Sequence, residues 1–427
     1  MSTQPLPLEG VRVVDYSHFL AGPYLSRCLA ALGADVIKVE RPGTGDAARE
    51  HPFRIGGYSG YFMQQNMGKR GISVDIKDPR GAELIGRLIH TADVFVENYR
   101  PGALDKFGLG YEDLSERNPG LVYCSISAYG HTGPDSAQAG FGLIAEAKSG
   151  GMSMLGEPGE APPLYGLSLA DMYTGIHGVA AVNAALIGKM KTGLGSYLDL
   201  ALYDCMVSMH EYAVQQYTLS GGTVLPQQMG HDLPQSTVYG VFTGSDGHFV
   251  LAAQVDESWK RLAQLIGGEK LATDPRYQSL EGRNADRAHI RELIEAWAKA
   301  QSSVRSCLDQ LDAAHVPCAK VQTIDEVVND PQIIARNMII EQDHPALGKI
   351  RMPNLPFNFS SYDITPRRVA PTLGEHNVEV ATELGFSDAD IADMQLDGVL
   401  FAAHDRPDPA PTTAMHPASS RHEKGPS

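Results

Sequence analysis

Among the 51 acidic residues of this 427-residue chain, Asp171 stands apart by its neighbours. It lies between LYGLSLA and an apolar stretch opening MYTGIHGVAAV. A helix starting there would set the carboxylate at its N-terminus. Asp is a favoured cap of a free backbone N–H at that point, and the positive dipole end keeps a carboxylate ionised. Gly166 and Gly175 would let a ligand approach. Cap and functional anion are both open readings. Ser168 is a second candidate, since Gly166–Ala170 (GLSLA) resembles the GxSxG nucleophile elbow with Ala last. An elbow follows a strand, and Pro162-Pro163 leaves room for only a very short one. Of the 15 histidines, none forms an i, i+4 pair with an acidic neighbour, and His210-Glu211 is isolated, so no metal site is predicted. Neither GxGxxG nor GxxxxGK[ST] follows the first strand. Arg41–Gly45 (RPGTG) lacks the helix-opening pattern of a pyrophosphate cradle.

The elements that must position these residues alternate. β-Branched runs fall at Val11–Tyr16, Asp35–Glu40, Ile72–Ile76, Asp93–Asn98 and Leu121–Ala128. Helical spacing separates them, as at Tyr24–Leu32, framed by Pro23 and Gly33, and at Gly81–His90. Nearly continuous apolar strands between helices predict a parallel α/β sheet. An Ala-rich helix is expected over Met172–Met190, then a strand at Tyr197–Leu202 and one long helix over Tyr203–Leu219. Ser220–Pro234 reads as a linker, and Tyr239–Ala253 as a hairpin turning at Ser245–Gly247. Helices near Trp259–Ile266 and Arg287–Ala300 place a smaller α+β domain after it. Asp330–Leu400 mixes a helix, a Pro-rich crossing and a terminal helix at Asp388–Met394. A Pro-rich tail from His404 is expected to be disordered.

Length alone, about three times the usual ~100–150 residues of a domain, predicts two or more domains. Thirty-five basic against 51 acidic residues give a formal net charge of −16, the wrong sign for nucleic acid or an anionic membrane surface. Five scattered cysteines without a CxxC pair read as reduced thiols. With no leader-like N-terminus and no long apolar run, a cytoplasmic enzyme is expected.

The chain resembles the class III CoA-transferase family (CaiB/BaiF, formyl-CoA transferase-like). LEGVRVVDYSHFLAGP, GADVIKVERPGTGD, NMGKRGISVDIKDPRG, ADVFVENYRPGALDKFGLGYEDLSERNPGLVYCSISAYGHTGP, SLADMYTG, HVPCAKVQTIDEVVNDPQIIARNMI and PTLGEHNVEVATELGFSDADIADM carry the resemblance in order from Leu8 to Met394. It implies a Rossmann-like large α/β domain formed by both chain ends, a smaller α+β domain and an interlocked homodimer. The corresponding blocks are 1–220 (CoA-binding, N-terminal part), 221–235 (linker), 236–329 (small domain), 330–400 (return to the large domain) and 401–427 (disordered tail). Asp171 matches the catalytic aspartate, which would form an acyl-aspartyl anhydride and then an aspartyl-CoA thioester. Arg41, the Val74-Asp75-Ile76-Lys77 segment, Asn98, Tyr99, Arg100 and Lys106 match positions lining CoA. No permanently bound cofactor or metal is implied. The substrates would be an acyl-CoA, succinyl-CoA or another short one, and a small organic carboxylic acid. The fold also hosts α-methylacyl-CoA racemases, but their His-Asp pair is replaced here by Phe141-Gly142, and His131 lies at a different motif position. Many transferases carry an acid where Gly142 stands, which predicts a wider pocket here. An acyl-CoA hydrolase acting through Ser168 is the remaining alternative.

Overall fold

The computed structural model describes residues 4–51, 53–233 and 235–403. They divide into two compact units. One holds residues up to 149, 168–209 and 337 onward, and the other holds 150–167 and 210–336.

The first unit is built on a six-stranded parallel sheet. Its elements in chain order are β1 (Arg12–Tyr16), α1 (Ala21–Ala31), β2 (Asp35–Glu40), a short hairpin of β3 (Arg54–Ile55) and β4 (Tyr58–Ser59), α2 (Gly60–Asn66), β5 (Arg70–Ser73), α3 (Pro79–His90), β6 (Val94–Glu97), α4 (Tyr111–Arg117), β7 (Val122–Ser127), α5 (Gly142–Lys148), α6 (Leu169–Thr192) and β8 (Ser196–Ala201). The sheet order is β5-β2-β1-β6-β7-β8, so the winding direction reverses between β1 and β6. In such sheets, ligands bind beyond the carboxyl ends of the strands at that reversal.

Local chemistry explains the elements. Asp78 caps α3 by accepting from the Arg80 N–H, and Pro79 opens it. Leu84, Ile85, Leu88 and Ile89 then fall on one face and join Val14, Ile37 and Phe95 in the main core. β5 ends at Ser73, short of the expected Ile76, because the chain end takes over the pairing. Val74 bridges Leu400, and the Asp75 N–H donates to the Val399 carbonyl. Helices Asn377–Glu383 and Asp388–Leu396 bring Val380, Ala381, Ile391 and Met394 into the same core. Phe401 and Ala403 are hydrogen-bonded to Ser73 and Leu373, so order continues past Leu400; residues 404–427, which hold the rest of the expected tail, lie outside the described residues.

Three other expectations need correction. Tyr203–Leu219 is two short helices, Leu202–Ser208 and Ala213–Leu219, not one. No strand precedes the GLSLA turn. The stretch after Asn337 also contains an antiparallel hairpin, β12 (Ile339–His344) with β13 (Gly348–Pro353), the numbers following the three strands of the second unit. Half-exposed strands with mixed polarity such as IIEQDH give little apolar alternation to read.

In the second unit, β9 (Tyr239–Thr243), β10 (His248–Ala252) and β11 (Cys318–Lys320) form an antiparallel sheet. Helix Asp256–Ala272 is broken at Gly268, whose φ of 66° leaves the helical region. Trp259, Phe249 and Ile294 centre a separate core.

Candidate active site

Asp171 is the third residue of α6, and Ser168 occupies the N-cap without making a capping hydrogen bond. Of the two readings left open for Asp171, that of N-cap residue falls away, because α6 starts at Leu169 rather than Met172. The first turn is served from outside. The Ala170 N–H donates to Oε1 of Glu146, from α5, at 3.1 Å. Glu146 is only 3% exposed.

Gly142 opens α5 against the Asp171 carboxylate, and a Cβ built there would collide with Asp171 Oδ2. The missing side chain therefore does not widen the pocket; Asp171 fills the space itself. Gly175 does not face a ligand either. A Cβ there would lie 2.9 Å from the Tyr24 ring and 3.0 Å from the Ala21 carbonyl, where α1 crosses α6. Burial first, and then the Glu146 charge, raise the Asp171 carboxyl from 3.8 to about 6. Tyr61, on α2, is pushed up by burial and then by the charges of Asp171 and Asp46, so its phenol stays protonated near neutral pH.

At the reversal of the sheet, the loops after β1 and β6 clasp each other. The His18 N–H donates to Asn98 Oδ1 at 2.8 Å, and Asn98 Nδ2 donates to the His18 carbonyl at 2.8 Å. A cavity of about 240 Å³ opens beside this clasp, lined by His18, Phe19, Arg41, Asp46 and Tyr99 among others. His18 Nδ1 is buried without a hydrogen-bond partner, and burial keeps the imidazole neutral.

Buried charges hold this floor. Lys38 Nζ donates to the Ser17 carbonyl at 2.8 Å and pairs with Asp46 at 3.0 Å. Asp46 accepts from the Phe19 N–H at 3.1 Å. That grip keeps Phe19 at φ 62°, a conformation costing of order 1–3 kcal/mol for a bulky residue. Beneath it, Lys69 pairs with Asp15 at 2.8 Å, both side chains fully buried. Burial alone would raise the Asp15 carboxyl, but Lys69 and Lys38 outweigh it and hold it well below the usual range. Phe19 also links the cavity to Asp171. Its ring meets Phe141 edge-on at 6.5 Å, and Phe141 immediately precedes Gly142.

The residues expected to line CoA separate on this frame. Arg41 and Tyr99 share the cavity, and Asn98 builds its wall through His18. Arg100 lines a neighbouring cavity of about 530 Å³, with Glu97 and Tyr197. Lys77 and Lys106 are exposed. Val74 is 2% exposed and Ile76 packs on the main core, so their side chains are spent there. Asp75 accepts from the Lys77 N–H at 2.9 Å and shapes the turn into α3. Sequence reading missed Glu146, Tyr61, Phe19 and the Lys38–Asp46 pair. One signal was present for Glu146: it stands one helical turn after Gly142, on the same face of α5.

A part-buried carboxylate in the first turn of a helix, linked through Phe141 and Phe19 to a cavity that carries Arg41, has the chemistry of a nucleophile for covalent acyl transfer. Among the described residues, no group of three or more His, Cys, Asp or Glu could hold a metal ion. No helix of the described residues is long and apolar enough to cross a membrane.

Comparison with known proteins agrees with this geometry. Residues 8–377 match CoA-transferase family III. The chain is 36% identical to a succinyl-CoA–D-citramalate CoA-transferase of Chloroflexus aurantiacus, over 94% of this chain and 100% of that one. It is 36% identical to a succinate–glutarate CoA-transferase of Agrobacterium fabrum, over 90% and 97%. The crystal structure of a CAIB/BAIF family protein from Brucella suis superposes with a TM-score of 0.80 at 38% identity, covering 89% of this chain and 100% of that one. The mixed α/β architecture around a parallel sheet is that of this group, and the chain belongs to the class III CoA-transferase family.

Proposed function

We propose that this enzyme moves CoA from succinyl-CoA, or another short acyl-CoA, to a small dicarboxylic acid, with Asp171 as nucleophile. The observation that carries the reading is the Asp171 carboxylate itself, part-exposed in the first turn of α6, with its pKa raised to about 6 and no side chain at Gly142 in its way. At pH 7 such a group is mostly ionised and more basic than an ordinary aspartate, as a carboxylate nucleophile should be.

An Asp171 oxygen attacks the thioester carbonyl. The C–S bond breaks, CoA leaves as thiolate, and an acyl-aspartyl anhydride forms. The thiolate then attacks the aspartyl carbonyl, releasing the donor acid and leaving an aspartyl-CoA thioester. The acceptor carboxylate reverses the two steps and leaves as its own CoA thioester, which regenerates the carboxylate. Thioester energy is conserved, so the exchange consumes no ATP. Arg41 and Tyr99, at the cavity by the sheet reversal, are assigned to CoA, with Asn98 holding the wall. The exposed cations Arg100, Lys77 and Lys106 are assigned to its phosphates, where charge-assisted hydrogen bonds offset the field of a −16 chain. Asp75 shapes the adjoining turn, and Val74 and Ile76 anchor it. CoA thioesters are substrates here, and no resident cofactor is assigned.

A dicarboxylic acceptor draws support from the two relatives above, whose names pair succinate or succinyl-CoA with another dicarboxylic acid. We also assign a cytoplasmic location and a homodimer, the latter in keeping with exposed apolar side chains such as Met190, 85% exposed, and Leu194, 61% exposed. Racemase chemistry is disfavoured because the place of a second base is held by Gly142, closed off by Asp171. The test is to incubate the protein with succinyl-CoA, trap with hydroxylamine or borohydride, and locate the adduct by mass spectrometry. Modification of Asp171 is expected. An adduct on Ser168, or full transfer activity in Asp171→Ala, would overturn the assignment.

A further inference from the structure

Glu146 is a buried carboxylate to which the exchange described above gives no step. It lies one turn along α5 from Gly142, and both positions abut the start of α6: Gly142 against the Asp171 carboxylate, Glu146 on the Ala170 N–H. With Ser168 making no capping bond, Glu146 serves an N–H of the first turn of α6 from another helix. We infer that Glu146 positions Asp171 for attack, clamping the turn that carries it through Ala170 and setting a second negative charge beside its carboxylate. The inference rests on the reading of Asp171 as nucleophile.

The alternative sources of charge around Asp171 are quiet. Tyr61, from α2, is kept protonated by burial and by the acids near it. Tyr24, from α1, packs against Gly175 and is likewise raised by burial. Cys205, from helix Leu202–Ser208, lies beside Thr174 on α6, and burial pushes its thiol up. Each is neutral between pH 5 and 8. Glu146 is the charged side chain whose field raises the Asp171 carboxyl, second only to burial.

A clamp and a charge can be told apart, because Gln keeps an oxygen to accept from Ala170 and loses the charge. The readout is the rate at which succinyl-CoA forms the Asp171 adduct in single turnovers, followed by quenched mass spectrometry from pH 4.5 to 8.5. In the natural chain the rate should fall off below about pH 6 as Asp171 protonates. In Glu146→Gln, the acid limb should move down by about one pH unit. Its plateau rate should drop roughly threefold if nucleophilicity follows basicity with a slope near 0.5, at unchanged half-saturation. Glu146→Ala loses the clamp as well and should fall about 10²-fold, the scale of an ångström-sized misplacement. A merely structural Glu146 predicts an unmoved limb in Glu146→Gln, and that result overturns the inference alone. Absence of any adduct on Asp171 in the natural chain overturns the nucleophile reading and this inference with it.

Discussion

Replacing Asp171 by Asn should abolish transfer and stabilise the fold in the same stroke. The carboxyl is raised from 3.8 to about 6 by burial and by Glu146, so the folded chain prefers it neutral. Its contribution to stability is fully present below about pH 4 and is lost as pH rises through 6, where the charge must be carried in a poorly solvated place. A tenfold change in proton affinity is worth about 1.4 kcal/mol, so a rise of this size sets an upper bound of about 3 kcal/mol at pH 8. Solvent reaching the part-exposed carboxylate lowers this to roughly 2 kcal/mol. Asn keeps the shape and discards the charge, and should therefore raise the melting temperature at pH 8 by roughly 4–8 °C, given about 2–4 °C per kcal/mol for a sizeable domain. Thermal melts of both proteins at pH 8, 6 and 4.5, at fixed ionic strength, are the assay. The gain should be nearly as large at pH 6, fall to about a third of its full size at pH 4.5, and vanish only below about pH 4. Equal melting temperatures at pH 8, or a gain independent of pH, would refute the claim that the aspartate is held charged at a cost.

Gly142→Ala puts a methyl where Asp171 Oδ2 lies, so kcat should fall about 10²-fold with a smaller change in KM for acyl-CoA, measured by steady-state kinetics. Lys69→Met leaves Asp15 buried and unpaired and should cost about 3–5 kcal/mol in urea unfolding; adding Asp15→Leu should recover much of it. Arg41→Ala removes a cation from the cavity rim, and KM for acyl-CoA should rise roughly tenfold, with less sensitivity to salt than in the natural chain.

How much could be read before folding differs from residue to residue. The sheet strands were legible because Val13, Val14, Val36, Ile37, Val94 and Phe95 are buried and apolar in unbroken runs. The place of Asp171 close to the start of a helix was legible from the apolar run that follows SLAD, and the missing side chain at Gly142 from the sequence itself. Its consequence was not legible, since the emptiness at 142 is filled by a side chain 29 positions away in sequence. The hairpin after Asn337 was missed because its half-exposed strands carry weak alternation.

What the amino-acid order determined by itself is the list of parts: alternating strands and helices, a lone carboxylate at a helix start, and cations after strand ends. Those signals are local, set by neighbours within a turn or a strand. Only the tertiary structure decided which parts act together. Asp15, Lys38 and Lys69 read as ordinary charges along the chain, yet folding buries them in one network under the sheet reversal. Glu146 reads as a helix residue, yet packing of α5 on α6 sets it beside Asp171. Charge coupling acts through space and strengthens as water is excluded, so it exists only once the helices have met.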